Sequence, residues 1–123
     1  KIEGFKGMIE EAGRAYPKAR VFATTLREVV NANEHLWGAL LRADGGWHLV
    51  EPRSIAVLDR IGGGDGFVGG LLYGLLQGWS GEDCLHFGWA GGALAVSMET
   101  DFGQPSSEAE IWSIWQGDAR VKR

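Results

Sequence analysis

A chain of 123 residues with 45% hydrophobic content fits one domain with an ordinary packed core, which excludes a disordered tail. A net charge of −4, with no Lys/Arg cluster before the last four residues, excludes nucleic acid and anionic membrane surfaces as main partners; a small anionic ligand would have to be gripped locally. Cys84 stands alone, so no internal disulfide can form, no Cys/His spacing resembles a zinc site, and a reducing cytoplasm is expected.

Phe5, Met8, Ile9 and Ala12 recur at helical spacing and Pro17 closes the segment, so residues 3–15 read as a surface helix. The charged opening from Lys1 to Glu11 lacks the apolar run of a secretory signal. It also lacks an initiating Met and resembles the middle of a helix, so a piece of a longer protein is expected. Val21 to Thr25 reads as a short buried strand. Leu36 to Arg42 and Trp47 to Val50 flank Ala43-Asp44-Gly45-Gly46, which has hairpin-turn composition. Ile55 to Leu58 reads as another short strand, delivering the chain into Gly62-Gly63-Gly64 and Asp65.

From Asp65 to about Gln77 the pattern is helical, with Phe67, Leu71 and Leu75 in one stripe and Val68, Leu72 and Leu76 beside it. Gly66, Gly69, Gly70 and Gly74 inside this helix cost together roughly 3–4 kcal/mol relative to alanine. Compensation is predicted from close approach of a sheet or a second helix, which a Cβ would prevent. Ile61 to Trp79 is the one membrane candidate, with glycines at every fourth position from Gly66 to Gly78. The helix it allows is roughly 20 Å long, against about 30 Å for a bilayer core, so a membrane span is rejected. Ser80 with Asp83, and Ser107 with Glu110, are capping-box signatures for helices over 81–97 and 108–116. With no internal repeat or linker, the class is α/β, strands first and helices gathered after them.

The chemistry concentrates in Asp59-Arg60-Ile61-Gly62-Gly63-Gly64-Asp65-Gly66-Phe67, between a strand and a helix. Successive glycines let backbone N–H groups converge on one point, and the helix N-terminus adds its positive end, so the loop suits phosphate oxygens or a developing anion. A carboxylate there repels phosphate, and Asp65 has two readings: a cap of its own helix, or a base that takes the proton of a hydroxyl nucleophile. No Gly-Lys-Ser/Thr follows, and the spacing is not that of the dinucleotide fingerprint.

This stretch resembles the D-T-x-G-A-G-D-x-F signature of ribokinase-type (PfkB) carbohydrate kinases, and within that family it is most similar to bacterial 2-keto-3-deoxygluconate kinases. Thr24-Thr25-Leu26-Arg27-Glu28, Asn33 through Trp37-Gly38-Ala39-Leu40, and Gly117-Asp118-Ala119-Arg120-Val121 extend the resemblance in order along nearly the whole chain. It implies that residues 1–123 are the C-terminal nucleotide-binding and catalytic portion of a longer kinase, with a ribokinase-like three-layer α/β/α fold. ATP and Mg2+ are implied, with K+ as a further candidate, and the implied function is phosphorylation of a hydroxyl of 2-keto-3-deoxygluconate or a related sugar acid. Asp65 takes the position of the catalytic base facing substrate, and Gly62, Gly63 and Gly64 that of the anion hole. Asp59 takes a position tied to loop ordering or a monovalent cation. Thr25 and Arg27 fall where a post-strand loop meets the nucleotide, and Asp101 where close relatives face substrate with a Gly-Asp pair.

The chain also departs from the family. Arg60-Ile61 replaces the usual threonines, Trp89 stands where many relatives place a small residue or Asn near the adenine, and Glu99-Thr100-Asp101 replaces Pro-Gly-Asp. Because the sugar pocket and lid of such kinases lie outside this stretch, a non-enzymatic nucleotide-binding or interaction module is the competing reading. The partners implied are a sugar or sugar acid, a nucleotide and, through a strand edge left bare, a second copy of the chain. His35, His48 and His86 read as surface or capping residues, Cys84 as a small core residue, and Trp112 with Trp115 as the means of packing the last helix on the sheet.

Overall fold

Three antiparallel strands, β1 (Val21–Asn31), β2 (Glu34–Ala43) and β3 (Gly46–Ala56), form a meander in the order β1-β2-β3. The computed structural model describes residues 1–43, 45–97 and 107–117. The strands are longer than the short apolar runs predict. β1 continues through the β-branched pair Val29 and Val30 to Asn31, where Asn33 N–H donates to Asn31 Oδ1 at 2.8 Å and Asn31 pairs with Glu34 across a tight turn. The strands expected over 47–50 and 55–58 are one strand, β3, ending at Ala56.

A bulge makes that continuity possible. Trp37 pairs with Arg53 and Ala39 with Val50, so Glu51-Pro52 places one extra residue opposite Gly38. Pro52, which has no N–H to give a ladder, is accommodated there. Gly38 has to lack a side chain, because a Cβ would stand 2.6 Å from Val50 O and 2.9 Å from Pro52 N.

Helix α1 (Ile2–Ala15) lies on one face of the sheet, with Ile9 buried and the Lys6 ammonium 5.2 Å over the Trp47 ring. Helices α2 (Gly63–Gln77), α3 (Gly81–Ser97) and α4 (Glu108–Trp115) cover the other, giving helix, sheet and helix layers. Trp37, Ala39, Leu41, Val50 and Ile55 point from the sheet into this larger core. The predicted caps hold: Ser80 Oγ accepts Asp83 N–H at 3.1 Å, and Ser107 Oγ accepts Glu110 N–H at 3.0 Å. α2 ends at left-handed Gly78 (φ +78°), with Trp79 N–H returning to Gly74 O at 3.0 Å.

The predicted compensation for the helical glycines comes from a second helix. Added Cβ atoms at Gly66 and Gly70 would stand 2.6 Å from Gly91 O and 2.8 Å from Phe87 O of α3, and one at Gly91 would stand 2.7 Å from Gly66 O. Contact at backbone range is reachable only with glycine on both helices. Gly69 is different: nothing lies within 4 Å of its Cβ position, and no contact explains it.

Helix and sheet are joined by a reciprocal pair of tryptophans 52 residues apart. Trp37 Nε1–H donates to Trp89 O at 3.1 Å, and Trp89 Nε1–H donates to Trp37 O at 2.6 Å, both buried. Trp89, fully buried, is thus a core residue. The last helix packs chiefly on α3, not directly on the sheet as expected: Trp112 lies 5.2 Å from Phe87, and Trp115 stacks on His86 at 3.8 Å and 13°. Its link to the sheet is Arg53, whose guanidinium lies 4.1 Å over Trp89 and 4.5 Å over Trp115 and donates to Trp115 O at 3.2 Å.

Two histidines also depart from expectation. His35 is 4% exposed, because the helices cover the face of β2 it shares with Trp37. His86 is held between Trp115 and Glu82, 3.9 Å away. Cys84 is a core residue as predicted, and burial first, then Asp83, pushes its thiol pKa up, away from reactivity.

Candidate active site

β3 ends beside the β1–β2 turn, and the chain then crosses to α2 through a loop tied down at each step. Val57 N–H donates to Asn33 O at 2.8 Å, and Leu58 and Asp59 N–H both donate to Val96 O near the end of α3, at 2.8 and 3.1 Å. The Asp59 carboxylate accepts Ile61 N–H at 3.0 Å, a turn that sets Arg60 at its apex. The Asp59 side chain thereby closes the turn from Asp59 to Ile61. Ile61, 79% exposed, is displaced outward by this turn.

Gly62 then adopts φ +99°, a left-handed conformation that glycine takes without strain, and becomes the N-cap of α2. Gly66 N–H is the first to find a helical acceptor, Gly62 O at 2.8 Å. The amides of Gly63, Gly64 and Asp65 make no hydrogen bond within the described residues, so three donors converge at the positive end of the helix. Asp65 sits in this same first turn, exposed to solvent, and its carboxylate has no hydrogen-bond or ion-pair partner among the described residues.

Gly63 is the tightest point. A Cβ there would stand 2.9 Å from Val96 Cγ1 and 3.0 Å from Arg27 Nη2. Arg27 thus reaches the loop from inside β1, not from a post-strand loop, with its guanidinium 5.0 Å over the Trp37 ring. Burial, and then the charge of Arg60, push its pKa down. Its cross-strand partner is Trp37, which places it on the helix-covered face. Thr25, two residues earlier, shares that face but lies ~7 Å farther along the strand, opposite Ala39. Its carbonyl accepts the Thr24 hydroxyl at 3.2 Å. The structure brings together Asp59, Gly62, Gly63, Gly64, Asp65 and Arg27, and leaves Thr25 apart. Asp101 lies outside the described residues.

Two residues of this corner were missed in the sequence. His35 lies on the face of β2 that it shares with Trp37, and burial, then Arg27, then Arg60, push its pKa down. Arg60 was noticed only as a departure from a pattern, although a cation before three glycines is itself a phosphate-compatible signal. The donor set suits an oxygen-rich anion such as a phosphate chain. Among the described residues no group of three or more His, Cys, Asp or Glu could hold a metal ion. No described helix is long and apolar enough to cross a membrane.

The sequence model of the pfkB family carbohydrate kinases matches residues 37–103. Among curated relatives, 5-dehydro-2-deoxygluconokinase of Clostridium beijerinckii is 42% identical over 58 residues, covering 47% of this chain and 17% of that protein. The 1-phosphofructokinase of Escherichia coli K12 is 43% identical over 69 residues, covering 56% of this chain and 21% of that protein. The crystal structure of 2-dehydro-3-deoxygluconokinase from Thermotoga maritima superposes with a TM-score of 0.84 at 30% identity, covering 94% of this chain and 35% of that one. The chain thus spans about a fifth of these curated relatives and about a third of the solved kinase.

Proposed function

Because this chain belongs to the pfkB family of carbohydrate kinases and has a ribokinase-like fold, we propose that it carries the phosphoryl-transfer site of an ATP-dependent kinase acting on 2-keto-3-deoxygluconate or a related sugar acid. One observation carries the reading: three unpartnered amides at Gly63, Gly64 and Asp65 share a helix turn with an exposed carboxylate, above a half-buried arginine. A bound nucleotide with Mg2+ supplies the γ-phosphoryl group and neutralises the charge between its phosphates. Asp65 accepts the proton of the sugar hydroxyl as that oxygen bonds to phosphorus and the bond to the ADP oxygen breaks. The amides of Gly63 and Gly64, with Gly62 shaping the turn, hold the phosphoryl oxygens as their charge rises. Arg27 grips phosphate from below, and Asp59 holds the loop in register, a position that also suits K+. Thr25 and Asp101 are assigned by resemblance alone, to nucleotide and substrate. The sugar acid follows the names of the relatives, and the cytoplasmic setting the lone Cys84.

Residues 1–123 are, in this reading, the C-terminal portion of a longer kinase and are inactive alone. A competing reading, a nucleotide-binding or interaction module without chemistry, draws on the chain's small share of its relatives' length. The discriminating experiment is ATP consumption by the complete protein bearing these residues, across a panel of sugars and sugar acids. Turnover with a keto-deoxy sugar acid, lost by at least about a hundredfold in Asp65→Asn while ATP affinity holds, is the expected result. Undiminished turnover in Asp65→Asn would remove Asp65 as the base. ATP binding without turnover on any sugar would favour the module.

A further inference from the structure

Resting on the reading of residues 1–123 as one portion of a longer kinase, we propose that the outer face of α2, formed by Val68, Gly69, Leu72, Leu75 and Leu76, is the seat of another part of that same polypeptide. The occupant is an apolar segment whose backbone runs close over Gly69 and whose docking walls the substrate side of Asp65.

Three faces of α2 are set apart by its rotation of about 100° per residue. Phe67 and Leu71, 4% and 7% exposed, enter the core, while Gly66 and Gly70 meet the backbone of α3. The third face is turned to solvent, yet Val68 and Leu72 are each 50% exposed and Leu76 is 85% exposed, with Leu75 beside them. No charged residue follows Asp65 in the helix. A helix at a water boundary carries a polar face, and one that is apolar all round is a buried helix. Contiguous apolar surface of this kind marks a place of contact.

Gly69 lies in the middle of the bare face. A glycine inside a helix costs stability relative to alanine, and no described atom within 4 Å of its Cβ position requires it. On the α3 side the same residue type brings a backbone oxygen to 2.6 Å from the Cβ position of Gly66. The outer face repeats that device, a glycine notch flanked by leucines, and the partner it fits is another backbone.

The same polypeptide is the occupant because 94% of this chain superposes on a kinase of which it covers only 35%, so about two thirds of such a protein has still to be placed against it. A tethered segment also meets the face at a high effective concentration, which a second copy free in solution does not match. Asp65 heads the same face, four residues and about 6 Å along the axis from Gly69. The segment that covers Val68 to Leu76 therefore arrives beside the carboxylate assigned as base and supplies a wall of the sugar site.

The test compares the 123-residue chain, kept dilute, with the complete protein bearing these residues. In the chain alone Gly69→Ala raises the urea midpoint, since its methyl meets nothing. In the complete protein the sign reverses, because the methyl strikes the docked backbone, and the midpoint falls. Leu76→Cys reads the cover directly: maleimide labelling at residue 76, located by peptide mass mapping, is expected to be at least about tenfold slower in the complete protein than in the chain, at every protein concentration. The proposal is overturned if Gly69→Ala raises both midpoints alike, if residue 76 is labelled at equal rates in both proteins, or if the reading frame encodes nothing beyond these residues. Protection that vanishes on dilution of the complete protein would give the face to a second copy and also overturn it. A complete protein that shields residue 76 yet phosphorylates no sugar would sink the kinase reading and leave this one standing. Sugar turnover lost in Asp65→Asn, with residue 76 labelled freely, would do the reverse.

Discussion

Gly66→Ala and Gly69→Ala are the same substitution on the same helix, three residues apart, and the structure assigns them opposite signs. At Gly66 the new methyl would stand 2.6 Å from Gly91 O, 3.0 Å from Gly91 C and 3.1 Å from the Ala95 methyl. Ordinary contact begins near 3.4 Å, so α2 and α3 have to part by about 0.8 Å along a seam where backbone faces backbone. Overpacking of backbone against backbone, which no side-chain rotation relieves, falls in the upper part of the usual range, about 2–3 kcal/mol. The helix gains about 1 kcal/mol from losing a glycine, which offsets only part of that, and a net loss of about 1–2 kcal/mol is expected. At Gly69 nothing lies within 4 Å, so only the gain of about 0.5–1 kcal/mol survives. Thermal unfolding of the two variants should bracket wild type and differ by roughly 6–10 °C for a domain of this size. Urea midpoints at unchanged slope provide the second readout. If both variants move in the same direction, the seam is not the reason α2 tolerates its glycines, and the packing argument fails.

Two further predictions concern the tryptophan pair and acid. Trp37→Phe and Trp89→Phe each strip an N–H from a buried carbonyl and should each cost about 1–3 kcal/mol. The double variant should lose less than the sum by at least about 0.5 kcal/mol, because either change already loosens the other bond; strict additivity in urea unfolding would show that the two bonds act separately. His35 and His86 both have pKa values pushed down in the folded chain, burial being the first cause for each. The unfolded chain therefore takes up protons first on acidification. Stability should be full above the ordinary histidine range near 6.5 and fall as the pH drops through it. The urea midpoint should decline from pH 7.5 to 5.5, and less steeply in His35→Gln; a midpoint flat across this range in wild type would contradict the burial of both rings.

What the sequence made legible was what neighbours in the chain decide. Ser80 with Asp83 and Ser107 with Glu110 marked their helices because a cap is a contact three residues long. The glycine loop was visible for the same reason, with strand, glycines and helix following one another directly. The strand lengths were not visible, since β3 passes through Pro52 only because Gly38, on another strand, leaves room for the bulge. His35 looked like a surface residue because its burial depends on helices that begin almost thirty residues later. Arg27 pointed toward phosphate by resemblance, but its route, through the sheet and under Gly63, is a property of the packed layers. The core role of Trp89 was not visible, because its partner lies 52 residues away and no local pattern carries that information.

The carbonyl of Val96 receives two amides of the incoming loop, and its side chain marks the limit of approach for Gly63. Under the proposed function, the dipoles that would face the phosphoryl group are thereby aligned before any charge arrives. Water would have to reorient around a phosphoryl group at the moment it passes between oxygens. A loop pinned at both ends to a helix terminus has no such rearrangement left to make, and this preorganisation, more than the number of donors, is what distinguishes it from a glycine turn in solution.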